Sequence, residues 1–158
     1  TVRNHISVPT IPAIARAARY LDDQGSSGRE TLIITGWVRV PIDFVKAMAL
    51  GADGSALSNN VMQAICCVAA RMCNTNNCPT GIATQKADLR KKLNIDKSSM
   101  QLHNFFNASV ELMQVMARAC GHHDLSGLNK NDLATWHREM ALLSGVSYSG
   151  LMDISTQK

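Results

Sequence analysis

The chain has 158 residues, with 16 basic and 12 acidic side chains, so its formal net charge is +4 at pH 7. This charge is spread along the sequence and only 4% of residues are aromatic, which argues against a nucleic-acid-binding face. No apolar run predicts a membrane span and no signal peptide is visible. Because the five cysteines are an odd number, we expect a reducing, cytoplasmic setting without disulfides.

The first 65 residues predict alternating helices and strands. Thr10 is a candidate N-cap residue, and apolar residues at helical spacing follow it until residues 22–25. Residues 31–35 form a short β-branched run, the pattern of a parallel strand that is buried on both faces. The first pair of elements is therefore a helix followed by a strand.

A second helix and strand follow. Pro41 is favoured in the first turn of a helix, and Gly51 is favoured as a left-handed residue at its end. A short strand is predicted over residues 53–57. This order is typical of βα repeats, in which a right-handed crossover places the two parallel strands side by side.

Three cysteines, Cys67, Cys73 and Cys78, come next and are followed directly by Pro-Thr-Gly. Soft thiolates select iron–sulfur clusters or zinc, and an irregular loop lets three sulfurs converge. In a helix, Cys67 and Cys73 would point about 120° apart, so we expect the helix to end before Cys73, with the asparagine-rich residues 74–77 supplying that end. The amides of such a loop can donate to thiolate. Three ligands favour a three-iron, four-sulfide cluster.

Other roles for the cysteines stay open. Structural zinc usually takes pairs of cysteines that are about two to four residues apart, and the loop lacks that paired arrangement. Cys66 and Cys120 lie among apolar residues, where we expect buried, inert thiols. A four-iron cluster would need one of these two as a further ligand.

Helices are predicted for the rest of the chain: a short basic one over 86–93, a long amphipathic one over 98–119, and a last one defined by the residues Leu133, Trp136, Met140 and Leu143. Asn129 with Asp132 resembles a capping box. His122 and His123 are expected to have a surface role at the end of the long helix. The tail after Ser149 is expected to be disordered.

Residues 67–85 carry the most specific resemblance. They contain a C-x5-C-x4-C-P-x-G-x-A-T-Q run, which resembles the cluster loop of the FMN-binding glutamate synthase family. Residues 31–36 with Arg39 resemble the family's seventh barrel strand and its phosphate-side loop. Residues 47–53 resemble the helix end that leads into the eighth strand. Two later segments, 104–122 and 132–136, resemble the family's tail.

The resemblance implies an α/β fold that is the C-terminal portion of a (β/α)8 TIM barrel, followed by the iron–sulfur loop and C-terminal helices. A whole barrel needs about 250 residues, so we expect this chain to be a fragment that holds the last part of one. The implied division is the last βα units in 1–65, the cluster loop in 66–85, a helical region in 86–148 and a tail in 149–158.

The resemblance also implies a flavin site. In parallel barrels, phosphate is commonly bound after strands seven and eight. The implied FMN contacts are Gly36, Arg39, Ser58, Asn59 and Asn60. The chain departs from the family pattern here, because relatives often have paired glycines where it has Gly36 and Trp37.

The parent protein would then pass electrons through the cluster to FMN and make glutamate from 2-oxoglutarate and glutamine-derived ammonia. Its implied partners are the remainder of the barrel or another chain, and an electron donor that is ferredoxin or an NAD(P)H-oxidising protein. No catalytic residue is identified, so the fragment alone is expected to be inactive. The alternatives are a non-catalytic helical assembly module with a vestigial cofactor site and a zinc-stabilised interaction domain.

Overall fold

The computed structural model describes residues 8–36 and 38–150 of the chain. Trp37, which follows Gly36 in the implied phosphate-side loop, and the predicted tail beyond Gly150 lie outside the described residues. The chain divides into two compact units. Among the described residues, the first unit comprises 8–36, 38–56 and 113–150, and the second comprises 57–112.

The described residues form an α/β structure. The helices are α1 (Thr10–Asp23), α2 (Pro41–Ala49), α3 (Asn59–Ala64), α4 (Ala87–Arg90), α5 (Ile95–Ala119) and α6 (Arg138–Ser144). The strands are β1 (Ile33–Thr35), β2 (Gly54–Ala56), β3 (Ala134–Thr135) and β4 (Ser147–Tyr148). Single 3-10 turns lie at Cys73–Thr75, Leu125–Gly127 and Lys130–Asp132.

Strands β1 and β2 are parallel neighbours in the first unit, as the βα pattern predicts. Ile34 lies opposite Ser55 in the register. The side chain of Asp53 extends the pairing, because its Oδ2 accepts a hydrogen bond from the Leu32 amide at 2.7 Å. A complete barrel is not formed by the described residues, whose strands make two separate two-stranded sheets.

The prediction that β1 is buried on both faces is wrong. Ile34 is 7% exposed and packs in the core, whereas Ile33 is 63% exposed. Alternate side chains of a strand point to opposite faces, and the helices α1 and α2 contact this sheet, so one face is covered and the other is open. Burial of the second face requires a further layer, which these residues do not provide.

The core of the first unit consists of two apolar clusters. One is built around Leu50, which is 1% exposed, and contains Ile14, Ala15, Ile34, Ala47, Ala52 and Val146. The other contains Val45, Ala49, Ala117 and Leu128. Helix α2 supplies residues to both clusters, so it is the central element of this unit.

Local signals placed most helix ends correctly. Pro41 is the first residue of α2, and Gly51 has a positive φ of 101° just after it. For α1 the predicted N-cap is wrong: Pro9 occupies that position, and the Thr10 hydroxyl donates instead to the Gly36 carbonyl at 3.2 Å. The Thr10 side chain therefore makes a tertiary contact instead of the predicted capping bond.

Helices α4 and α5 differ from the predicted ones in length or in starting residue. The predicted helix over 86–93 is reduced to α4, because the amides of Lys92 and Leu93 bond three residues back rather than four. Asn94 then caps the next helix, since its Oδ1 accepts from the Lys97 amide at 2.9 Å. The long helix α5 is confirmed and begins three residues before the predicted Ser98.

The last predicted helix begins later than expected, at Arg138. Residues Ala134 and Thr135 instead form β3, which pairs with β4, and Trp136 is 72% exposed. Pairing with β4 offers this segment backbone hydrogen bonds that a helix start would not. The predicted stop at Gly145 is confirmed by its left-handed φ of 70°.

Candidate functional site

The cysteine loop begins where α3 ends, at Ala64. Four non-glycine residues of this loop, Cys66, Ala69, Arg71 and Asn76, have positive φ angles between 54° and 72°, and the structure describes no others. A left-handed backbone is uncommon for residues with a Cβ atom and costs energy. Strained backbone is therefore concentrated in one segment of the described chain, and that segment carries the predicted ligands.

The helix does end before Cys73, as predicted, but the asparagine-rich run does not end it. The end falls at Ile65 and left-handed Cys66, well ahead of residues 74–77. Asn76 has a different role: it is the left-handed residue, with φ 59° and ψ 19°, that closes the 3-10 turn Cys73–Thr75. Asparagine tolerates this conformation better than most residues.

Cys67, Cys73 and Cys78 all border one small pocket. Its volume is about 10 Å³, roughly the space of one water molecule. Cys78 is buried, Cys67 is half-buried and Cys73 is exposed. In the part of the chain that the structure describes, no three His, Cys, Asp or Glu side chains are arranged to hold a metal ion. The loop thus collects the three thiols around one pocket without forming a finished ligand set.

Groups around the Cys78 sulfur shift the protonation of its thiol. Its Sγ lies 3.4 Å from the Thr80 hydroxyl oxygen. Hydrogen bonds from the Thr80 side chain, and then from the backbone amides of Ala83, Thr80 and Ile82, lower the pKa of the Cys78 thiol from 9.0 to about 6, against the opposing effect of burial. Cys78 is therefore mainly a thiolate at neutral pH, the form that binds metal. The predicted amide donors exist, but they follow Cys78 rather than precede it.

A network of hydrogen bonds closes the loop around Cys78. The Thr84 hydroxyl, which is buried, donates to the backbone carbonyl of Asn76 at 2.7 Å and to its side-chain Oδ1 at 3.0 Å. The same Oδ1 accepts from the Gln85 amide at 2.6 Å. Lys86 adds a bond from its Nζ to Asn77 Oδ1 at 2.6 Å. Residues 76 and 84–86 are thereby joined, and the segment between them is held as a closed turn.

The two remaining cysteines differ from expectation. Cys66 and Cys120 are both exposed rather than buried, because each lies just past the end of a helix instead of inside it. The Cys66 Sγ lies 3.2 Å from the Gln101 side-chain nitrogen. Neither residue lines the pocket that the other three cysteines share.

The predicted flavin contacts fall in both units. In the first unit, Gly36 follows β1 with a φ of 93° and borders an apolar pocket of about 600 Å³. Arg39 is exposed, and its backbone amide donates to Asp43 Oδ2 at 3.0 Å. The charged residues at this pocket are Asp43 and Lys46.

The other predicted flavin contacts lie in the second unit, at the start of α3. Ser58 is the N-cap residue of that helix, without a side-chain capping bond. Asn59 is exposed, and the Oδ1 of Asn60 accepts from the Val61 amide at 3.0 Å. The structure thus places all three residues at the start of the short helix that follows β2.

His122 has a structural partner in the first unit. Its Nε2 lies 2.8 Å from Asp132 Oδ2. The same carboxylate oxygen accepts from the Asn129 amide at 2.8 Å, which completes the predicted capping box, although the box caps the 3-10 turn Lys130–Asp132 and not an α-helix. The Asn129 amide, and then His122, lower the pKa of Asp132.

Comparison with known families decides where the chain belongs. The conserved region in glutamate synthase matches residues 1–123. The chain belongs to the glutamate synthase family. The cysteine loop, both βα units and the whole of α5 lie within the matched residues.

Individual relatives agree with this assignment. An archaeal glutamate synthase [NADPH] from Methanocaldococcus jannaschii is 30% identical over 82% of this chain and 25% of its own length. Another, from Archaeoglobus fulgidus, is 28% identical over 91% of this chain and 30% of its own length. A ferredoxin-dependent glutamate synthase from Antithamnion sp. is 32% identical over 82% of this chain and 8% of its own length. The chain therefore spans about a third or less of each of these glutamate synthases.

Two residues of this glutamate synthase loop were missed by the sequence analysis. Thr80 contacts the Cys78 sulfur and Thr84 contacts Asn76, yet neither was singled out. The signal was present in the run Cys-Pro-Thr-Gly-Ile-Ala-Thr-Gln, where a hydroxyl two residues after a cysteine can bond to its sulfur. Among the residues that the structure describes, no helix of this glutamate synthase family member is long and apolar enough to cross a bilayer.

Proposed function

We propose that this chain is the cofactor-holding part of a glutamate synthase-like oxidoreductase that makes glutamate from 2-oxoglutarate and glutamine-derived ammonia. In this proposal Cys67, Cys73 and Cys78 hold an iron–sulfur cluster of the three-iron type. The match of the family's conserved region to residues 1–123 supports the reaction class, and the cysteine loop supports the cluster.

The observation that carries the proposal is that the three thiols border one pocket. Their donor chemistry fits an iron–sulfur cluster, because thiolates are its usual ligands and donors around the sulfur tune it. The pocket must widen to take a cluster. Since Cys73 is exposed and Cys67 is half-buried, these two residues can move outward without disrupting an apolar core.

The sparse core of the second unit also supports a bound group. Between residues 57 and 112 the buried residues are Cys78, Gly81, Thr84 and Ser109, none of them a large aliphatic or aromatic side chain. A segment of this length normally needs an apolar core, a disulfide or a metal to fold stably. Cluster binding would supply stability that side-chain packing does not.

The flavin part of the proposal concerns the barrel. The open face of β1, with Ile33 and Thr35 exposed, is the face that would point into a barrel, since barrel strands cover one face with helices and fill the other with inward side chains. We propose that residues 1–65 are the last βα units of such a (β/α)8 barrel. Gly36, Arg39, Ser58, Asn59 and Asn60 would contact the FMN phosphate.

The bound cofactors would supply the electron transfer, and the chain's own residues would hold and tune them. Thr80 and the amides after Cys78 stabilise negative charge on its sulfur. The cited relatives are named for NADPH and for ferredoxin, and we propose that an electron donor of one of these two kinds serves the parent protein in the cytoplasm. The remainder of the barrel, or another chain, would complete the site.

Cofactor analysis tests the proposal. The 158-residue chain is purified without oxygen and reconstituted with iron and sulfide, and its iron, acid-labile sulfide and zinc are measured, with electron paramagnetic resonance of the oxidised protein. The expected result is a brown protein with about three irons per chain and a signal in the oxidised state. A folded, colourless chain that takes up neither iron nor sulfide would overturn it.

One observation favours a second candidate, a non-catalytic assembly module. No three ligand-type side chains in the described ranges 8–36 and 38–150 are already arranged to hold a metal. A module of this kind predicts the same unfolding temperature with and without iron and sulfide. A chain that instead takes up zinc in a fixed ratio would point to an interaction domain stabilised by that metal.

A further inference from the structure

We propose that Asn76 is the positioning residue of the cysteine loop, which fixes residues 76–85 as a closed turn and presets Cys78 as the first ligand to engage the cluster. This inference rests on the proposed function, because it assigns an order to the ligands of the proposed cluster. It concerns a residue that does not itself touch the metal.

The backbone of Asn76 is the first part of the evidence. Its left-handed conformation ends the 3-10 turn that begins at Cys73 and turns the chain toward Cys78. Glycine and asparagine adopt this conformation with the least strain. Alanine at this position would adopt the left-handed conformation only with strain. It would also lose the side-chain acceptor.

The side chain of Asn76 is the second part. Its Oδ1 receives hydrogen bonds from Gln85 and Thr84, which lie nine and eight residues further along the chain. The backbone carbonyl of Asn76 receives a third bond, also from Thr84. One residue therefore accepts three of the hydrogen bonds that close the ring from residue 76 to residue 85, and the Thr84 hydroxyl that it binds is buried.

The third part is what the ring encloses. Cys78 lies inside it and is 7% exposed. The Gly81 amide donates to the Cys78 carbonyl at 3.3 Å, so a second, tighter turn forms within the first. Cys67 and Cys73 lie outside the ring and are more exposed. The loop thus has one ligand that is fixed in advance and two that remain free to close on the metal.

Preorganisation of this kind lowers the entropy lost when a ligand is captured. If Asn76 provides it, loss of its side chain weakens cluster binding although all three cysteines remain. Substitution of outer residues that orient metal ligands typically weakens metal binding about 10- to 100-fold. We expect an effect of that size from Asn76→Ala and Asn76→Gly.

Comparison of Asn76→Ala with three further variants separates the possible causes. Asn76→Gly keeps access to the left-handed backbone but loses the acceptor, whereas Asn76→Asp keeps the acceptor and should restore cluster binding. Asn74→Ala is the matched control, because Asn74 lies in the same turn and its side chain makes no hydrogen bond with the described residues. All variants are made in the 158-residue chain.

Two measurements are made on each variant. Iron and sulfide retention is measured after reconstitution, during titration with a chelator. Hydrogen exchange is measured on the metal-free chain, where we expect faster exchange at the Gln85 amide in Asn76→Ala and Asn76→Gly, with unchanged exchange in α5. Unchanged α5 shows that the variant is folded.

The outcomes separate the inference from the proposed function. If the wild-type chain takes up no cluster, both are overturned. If the wild type takes up a cluster and Asn76→Gly retains it equally well, the proposed function stands and the positioning role of Asn76 is overturned. Weak retention by Asn76→Gly, with recovery in Asn76→Asp, supports the inference.

Discussion

Gly81 lies against the backbone carbonyl of Leu89, and no side chain fits between them. A Cβ atom on Gly81 would overlap the Leu89 oxygen and would lie 3.2 Å from the Leu93 amide nitrogen. The φ of Gly81 is +81°, which favours glycine in any surroundings. The absence of a Cβ atom on Gly81 therefore allows the loop of Cys78 to pack directly against α4 and the turn after it.

Replacement of Gly81 by alanine is expected to loosen the loop. The substitution adds backbone strain of about 1–2 kcal/mol and an overpacking cost of roughly 1–3 kcal/mol, because a backbone oxygen cannot rotate away. Gly28→Ala is the matched control, since Gly28 has nearly the same φ, +80°, and apart from its own chain neighbours no atom lies within 4 Å of the added carbon. Chemical denaturation and iron retention check the pair. Equal losses in both variants would show that the contact with Leu89 is unimportant.

The five cysteines are expected to divide into two groups on reconstitution. Serine in place of Cys67, Cys73 or Cys78 should remove most of the bound iron, because a hydroxyl is a poor ligand for soft metal centres. Serine in place of Cys66 or Cys120 should leave iron content unchanged, since neither borders the shared pocket. Iron and sulfide analysis of the five variants checks this division. A loss of iron in Cys66→Ser would instead favour a cluster with a fourth cysteine ligand.

The Cys78 thiolate gives the metal-free chain a pH-dependent stability. Because its pKa is lowered from 9.0 to about 6 in the folded state, the folded protein binds fewer protons than the unfolded one between these values. Its contribution to the free energy of unfolding is fully present above pH 9.0 and is lost as the pH falls through about 6. Cys78→Ser should remove this part of the pH dependence.

Thr80→Val tests whether the Thr80 hydroxyl causes the lowered pKa of Cys78. The Thr80 hydroxyl is the largest contributor to the lowered pKa of Cys78, and valine has nearly the same shape without a donor. Ultraviolet thiolate absorbance of the metal-free chain should show the Cys78 titration move upward in this variant. A titration that stays near 6 would assign the effect to the backbone amides alone.

Sequence predicted the parts of the fold that depend on local signals. Pro41 and Gly51 marked the ends of α2, and the βα order placed β1 beside β2. These signals work because the preferred backbone angles of proline and glycine do not depend on distant contacts.

The parts that sequence did not predict depend on distant contacts. Left-handed backbone at Ala69 and Arg71 has no local cause, because neither residue type favours it. Trp136 was assigned to the last helix from its apolar spacing. The residues just before it instead form β3, which pairs with β4. The bonds between Asn76 and Thr84 are likewise set by how the loop closes, eight residues apart.

The neighbouring residues Ile33 and Ile34 test the open face of β1. Ile34→Ala should cost about 2–4 kcal/mol of unfolding free energy, since it leaves a cavity in a packed core. Ile33→Ala should cost less than about 1 kcal/mol in this chain, because the side chain is 63% exposed. Denaturant melts of the two variants check the difference. Equal costs would mean that Ile33 is covered in solution by a contact that the described residues do not make, and the proposed barrel interior would then have to be assigned to another face.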